Sequence, residues 1–297
     1  MASDLKTQAP TSAFFLVSYP APHILLITIN RPKARNSLHY QAQWEADAIL
    51  NWFDGEPSLP QYLPNIENTC GEICAKEDTG VAIITGTGPA FCAGQDLIEQ
   101  AKIRASPPPP ALRRHPPSGF AGISRRSGKK PIIAAVNGFA LGGGFEICLN
   151  CDIVIASPTA SFGLPEVTVG LYAGAGGLPR VVHTAGLQIA SEIALTGRRL
   201  TPQEALSYRL INSISSAPEE LIPDAVKVAS RIASLSPDAV IITRAGLREA
   251  WETGSVEGAV RRTSERFDRA LGEGENIRIG TEAFAGKKKP VWVPSKI

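Results

Sequence analysis

The sequence predicts a mixed α/β fold, and three observations carry that prediction. Short apolar runs of strand length recur through the first two thirds of the chain: Phe14 to Val17, Ile24 to Ile29, Val81 to Thr85, Ile132 to Val136 and Ile153 to Ala156. Stretches with helical spacing lie between them. The last third reads as mainly helical. The 297 residues form one large domain or two small ones, and either can bury a real core.

The elements follow in order. The first two runs are strands joined by a turn at Pro20 to Pro22. After the polar turn Asn30 to Ser37, Leu38 to Phe53 reads as an amphipathic helix with Trp44, Ala48 and Trp52 on its apolar face, stopped by Asp54-Gly55. Val81 to Thr85 is a fully apolar strand, and a helix runs from near Leu97 to about Arg104. Ser106 to Ser118 is a proline-rich, extended loop. It leads through Arg125, Arg126, Lys129 and Lys130, read as a solvated face, to the strand Ile132 to Val136. The triplet Gly142-Gly143-Gly144 opens a short buried helix that carries Glu146. A further strand, Ile153 to Ala156, precedes a second carboxylate, Glu166, and a second glycine cluster, Gly174, Gly176 and Gly177. Downstream, Ala185 to Thr196 reads as helix, and Thr201-Pro202-Gln203-Glu204 is a capping box. Ile211 to Ser215 reads as strand; helices follow over Pro223 to Leu235, from Ser236 to about Trp251, and over Ser255 to Leu271.

Composition narrows the function. Thirty Lys plus Arg against 28 Asp plus Glu give no global basic field for nucleic acid. Five cysteines do not make a secreted disulfide framework, and the four histidines are too scattered for a structural zinc, so no metal is expected. No run of about 20 apolar residues suggests a membrane span. The N-terminus lacks a signal pattern, so a soluble, intracellular protein is expected. Ser295-Lys296-Ile297 is similar to the peroxisomal tripeptide Ser-Lys-Leu, which makes the peroxisome the expected location and the cytoplasm the fallback. There is no G-x-S-x-G elbow, P-loop or dinucleotide fingerprint. What stands out is Glu146 and Glu166, two acids in apolar, glycine-rich surroundings.

Several motifs together resemble the enoyl-CoA hydratase/isomerase (crotonase) superfamily, over about Ile24 to Trp292. They are Asn30-Arg31-Pro32 with Asn36, Phe91 to Asp96, Ala134 to Gly138 with Gly142 to Glu146, Cys151-Asp152, Phe162-Gly163, Pro165-Glu166 and Gly174 to Gly177, in the family's order and spacing. The resemblance implies a crotonase-type spiral of ββα units over residues 1–205, with an insertion near 55–80, and a helical C-terminal trimerisation region over 206–297. It implies trimers or dimers of trimers. The family's pattern also implies Glu146 and Glu166 as catalytic residues, with Glu146 activating water and Glu166 protonating the α carbon. The backbone amides of Ala93 and Gly143 would form the oxyanion hole. Lys33, Arg35, Gly94, Gln95, Asp96 and Leu97 would bind the CoA portion of the substrate, with no separate cofactor. Asp96 has a second reading, fixing its own turn.

The chemistry fits such a set. Hydration of a 2-enoyl thioester pushes charge onto the thioester oxygen, which needs two preorganised donors. It also moves two protons, which two carboxylates on one side of the alkene can share. Isomerases of this superfamily usually keep one of the two glutamates, so both together favour a hydratase. The alternatives are a Δ3,Δ2-enoyl-CoA isomerase or acyl-CoA tailoring enzyme of a specialised pathway, and a non-catalytic member that binds RNA or scaffolds a complex. Two departures stand against the family pattern. The link from Gly55 to Gly80 is longer by about 20 residues, and the proline-rich loop falls beside the acyl pocket.

Overall fold

The computed structural model describes residues 8–55, 80–106 and 114–297. The expected insertion over 60–79, with Cys70 and Cys74, lies outside the described residues, as does most of the proline-rich loop. Among the described residues there are two sheets. The larger has the order β1-β2-β3-β5-β7-β9, formed by β1 (Phe15–Ala21), β2 (Ile24–Ile29), β3 (Val81–Gly86), β5 (Ile132–Val136), β7 (Ile153–Ala156) and β9 (Ser213–Ile214). Its first pair is antiparallel and the rest are parallel. The smaller sheet is parallel, with β4 (Ala90–Cys92), β6 (Phe139–Leu141) and β8 (Ser161–Gly163).

The two sheets grow together because each turn of chain adds a strand to both. β3 leads to β4 and then α2 (Leu97–Ala105). β5 leads to β6 and then α3 (Gly143–Asn150), and β7 leads to β8 and, after a 3-10 turn at Pro165–Val169, to α4 (Gly177–Ala185). This is the expected spiral of ββα units. β3 and β5 are buried almost along their whole length because both faces of the large sheet are covered, which is why they read as unbroken apolar runs. One face packs on α1 (Tyr40–Asp54), α3 and the small sheet. The other carries Ile24, Val81, Ile83, Ile133 and Ile155 against Leu221, Ala225 and Ala229 of α7 (Leu221–Ala233).

Some sequence readings move. The buried stripe of α1 is Ala42, Ala46, Ile49, Leu50 and Phe53, not Trp44 and Trp52, which are half-buried at its flank. Its N-cap is His39, whose ring nitrogen accepts from the Ala42 amide, and Gly55 closes it in the left-handed conformation. Arg126 is no solvated cation: its guanidinium is buried on Asp54, Asn51 and the Leu50 carbonyl. The division at residue 205 does not separate layers, since β9 and α7 complete the large sheet.

Between them lie α5 (Leu187–Thr196) and α6 (Pro202–Ser207), the latter opened by the expected capping box. The helices beyond the sheet are α8 (Pro237–Thr253), α9 (Val256–Gly272) and α10 (Glu275–Ala285). Arg244 and Arg248 tie α8 to Asp152 at the base of β7. Asn276 clamps the tail by bonding both the amide and the carbonyl of Val293, so Ser295 to Ile297 lie just past a fixed point.

Candidate active site

The two acids predicted from sequence meet at the N-terminus of α3. Glu146, one turn into that helix, is 3% exposed. Its Oε1 accepts from the Gly177 amide at 2.8 Å, and the Ala175 amide lies near enough to favour its charged form. The second glycine cluster thus lets the backbone close on the acid, since a Cβ at Gly177 would stand 2.8 Å from Glu146 Cγ. Burial pushes the Glu146 carboxyl above its ordinary value, while the Gly177 and Ala175 amides and Arg180 pull it back.

Glu166 reaches the same place from the 3-10 turn after β8. Its Oε1 lies 3.1 Å from where a Cβ on Gly142 would be. Its Oε2 is buried with no hydrogen-bond partner among the described residues. Burial first, with the charge of Glu146 adding to it, raises its carboxyl to about 7. A carboxyl in that range can give or take a proton near neutrality.

Two glycines shape the floor. Gly142, the N-cap of α3, has φ 54° and ψ −125°, a conformation closed to side chains. Gly94 has φ 91°, and its Cα hydrogen faces the next strand so closely that a Cβ would lie 2.9 Å from the Leu141 carbonyl and 3.1 Å from the Gly143 nitrogen. The segment after β4 therefore lies directly against the start of α3. Gly143 and Gly144 pack just as tightly; a Cβ would strike the Phe120 ring at 2.8 Å and the Cys92 carbonyl at 2.0 Å.

The amide assignment needs one correction. The Ala93 N–H donates to the Arg35 carbonyl at 3.1 Å, so it is not available to a thioester oxygen. On either side of Gln95, Leu38 accepts from Asp96 and donates to Gly94, while the Gln95 amide itself meets no acceptor among the described residues. The Gly143 amide is also unmatched there, as expected at the first position of a helix. Gln95 and Gly143, not Ala93 and Gly143, are the available pair. The parallel bridge between Leu38 and Gln95 was not readable from periodicity, and it decides which amide is left over.

The remaining predicted positions divide. Lys33 and Arg35 are exposed on the loop that Ala93, Gly94 and Asp96 bond to, so the structure brings them beside the 94–97 segment. Leu97 is 43% exposed on that side. The Asp96 side chain is committed elsewhere: it caps α2 through Ile98 and Glu99 and pairs with Arg31 at 3.1 Å. Asn36 and Asn137 are clamps on the 86–90 turn; Asn36 Nδ2 donates to the Thr87 and Ala90 carbonyls, and Asn137 Oδ1 accepts from Gly86. Among the described residues no cluster of His, Cys, Asp and Glu could hold a metal ion.

Residues 72–294 match the family described as Enoyl-CoA hydratase/isomerase. The chain belongs to that family. Among its relatives is a mevalonyl-coenzyme A hydratase of Aspergillus fumigatus, 43% identical over 99% of this chain and 100% of that protein. A mevalonyl-coenzyme A hydratase of Beauveria bassiana is 40% identical over 95% of each chain. Among solved structures, an enoyl-CoA hydratase from Mycobacterium tuberculosis matches with TM-score 0.78 at 30% identity, covering 96% of this chain and 100% of that one. This member of the enoyl-CoA hydratase/isomerase family is an enzyme of the hydratase kind, a lyase, with the fold of those hydratases.

Proposed function

We propose that this enzyme adds water to a 2-enoyl-CoA thioester, or removes it in reverse, through Glu146 and Glu166. The observation that carries the reading is that the buried Glu146 and the half-buried Glu166 lie close enough at the start of α3 to feel each other's charge, beside two unmatched amides. In hydration, the thioester oxygen accepts from the Gln95 and Gly143 amides as the double bond is polarised. Water attacks C3 and gives its proton to Glu146, while the developing enolate takes a proton at C2 from Glu166. Elimination runs the same transfers backwards. The acid pair starts and ends with one proton, on Glu166 before hydration and on Glu146 after it.

The acyl chain in this reading is branched and hydroxylated, of the mevalonyl type, carrying a 3-methyl group and an alcohol at C5. The near full-length similarity to two mevalonyl-coenzyme A hydratases supports it. Lys33 and Arg35 would face the CoA phosphates across the loop they share with the 94–97 segment. A trimer, or a dimer of trimers, would cover the apolar side chains left exposed on α8 and α9.

Purified enzyme mixed with 3-methyl-2-enoyl-CoA substrates should bleach the absorbance of the conjugated thioester. Glu146→Gln and Glu166→Gln should each slow this by about 10²- to 10⁴-fold. No bleaching at any chain length, or full activity in either variant, rejects the assignment. Turnover of 3-enoyl-CoA without turnover of 2-enoyl-CoA would select an isomerase.

A further inference from the structure

A polar cluster beside the carboxylates has no part in the proton transfers. It lines a cavity of about 380 Å³, walled by Arg114, His115, Pro117, Arg125, Gly174 and Ala175. Ala175 joins this cavity to the acid pair, because it lines the cavity and its amide lies beside the Glu146 carboxyl, two residues before the Gly177 amide that bonds it. His115 joins it to the unmatched amides. The imidazole packs edge-on to Phe120, with ring centroids 6.0 Å apart, and Phe120 is the ring that abuts Gly143. Its Nδ1 lies 2.5 Å from Gln43 Oε1, and Gln43 Nε2 donates to Gln95 Oε1 at 2.7 Å.

That chain fixes the state of the imidazole. Gln43 Nε2 also donates to the Leu38 carbonyl at 3.3 Å. With both of its protons used, the Gln43 amide can offer His115 only its oxygen, so Nδ1 is the donor. Burial holds the imidazole below its ordinary pKa, which keeps it neutral near pH 7. Nε2 is then an acceptor, and no donor meets it among the described residues. Arg114 and Arg125 have no carboxylate partner among those residues either.

Among its side chains the cavity therefore offers one acceptor, His115 Nε2, and guanidinium donors. A hydrocarbon tail would strip water from them and replace none of their hydrogen bonds. A carboxylate would satisfy the guanidinium groups and leave Nε2 unmatched. An alcohol satisfies both, giving its proton to the imidazole and accepting from a guanidinium. We propose that this cavity receives an alcohol on the acyl chain, with His115 as acceptor and Arg125 as donor, so that the enzyme selects hydroxylated acyl-CoA over its hydrocarbon analogue. This rests on the reading of the neighbouring acids as an acyl-CoA hydration site.

The test uses two substrates that differ only in the alcohol, 5-hydroxy-3-methylpent-2-enoyl-CoA and 3-methylpent-2-enoyl-CoA. The wild-type kcat/KM should favour the first by about tenfold to a hundredfold. His115→Phe keeps a ring against Phe120 and loses the acceptor; it should shrink that preference to about threefold or less, chiefly by raising KM for the alcohol. Arg125→Met should shrink it in the same direction. No preference in the wild type, or an undiminished one in both variants, overturns the proposal. Calorimetric binding of the two saturated acyl-CoAs to Glu166→Gln protein repeats the comparison without turnover. Binding blind to the alcohol, with turnover intact, sinks this proposal and leaves the hydratase standing. Alcohol-selective binding with no turnover of any 2-enoyl-CoA does the reverse.

Discussion

Glu166 holds a proton that the unfolded chain would release. Its carboxyl sits at about 7 in the fold against 4.5 without it. Between those values the folded state binds more protons than the unfolded state, so stability falls as pH rises through that window and stays lowered above it. Glu166→Gln removes the ionisation. Chemical denaturation should show the variant about 1–2 kcal/mol more stable than wild type at pH 8, a figure discounted for partial exposure, and equal to it at pH 4. An equal gain at both pH values would mean that packing, not ionisation, is responsible. On the proposed mechanism catalysis follows the same proton, so kcat/KM for hydration should fall above about pH 7, roughly tenfold per pH unit. A profile that stays flat from about pH 7 to pH 9 would contradict a catalytic proton held on Glu166. Of these residues, the sequence made both glutamates legible, because a charge inside a glycine-rich apolar run has few structural uses. It did not reveal which amide stays unmatched: that depends on Leu38 pairing across to Gln95, a contact between segments more than fifty positions apart.

At the scale of elements, legibility followed length and burial. β2, β3 and β5 were readable because both faces are covered and the apolar run is continuous. β4, β6 and β8 have three residues each, too few to show a period of two, so the second sheet emerged only in three dimensions. α4 was hidden because it starts at Gly177 with Gly176 as N-cap and no side-chain cap, and a single residue, Gly186, parts it from α5. The glycines opening α3 were visible, and their tightness gives a prediction. In Gly143→Ala the new methyl meets three ring atoms of Phe120 at 2.8 Å, so either the ring or the helix start must shift. The variant should lose about a hundredfold in kcat, and Gly143→Ala/Phe120→Leu should recover much of it by making room. The docking of α8 gives another. Arg244 is 6% exposed and bonds Asp152 and the Ser127 and Gly128 carbonyls. Arg244→Ala should lower stability by about 2 kcal/mol, read as a drop in melting temperature, because it removes the buried guanidinium that bonds Asp152 and two loop carbonyls at once.

The whole molecule leaves more apolar surface in water than its sheets require. Leu247 on α8 is 69% exposed, Val256 on α9 is 79% exposed, and Val260, one turn further along α9, is 55% exposed. α8 and α9 pack against each other, yet these three side chains lie outside that contact. Isolated apolar residues on a surface mean little, but a group on two adjoining helices fits an interface. Such helices stand beyond the large sheet, so covering them costs the spiral core nothing. Light scattering should give three or six times the 31.5 kDa chain mass. Leu247→Glu/Val256→Glu should shift the mass towards the monomer, because charges at a buried interface have no partners there. Since neither position touches the acid pair, the first effect expected is on assembly, with activity following only through the loss of neighbours. A wild-type chain that stays monomeric at micromolar concentration would show that these helices bury their apolar faces some other way.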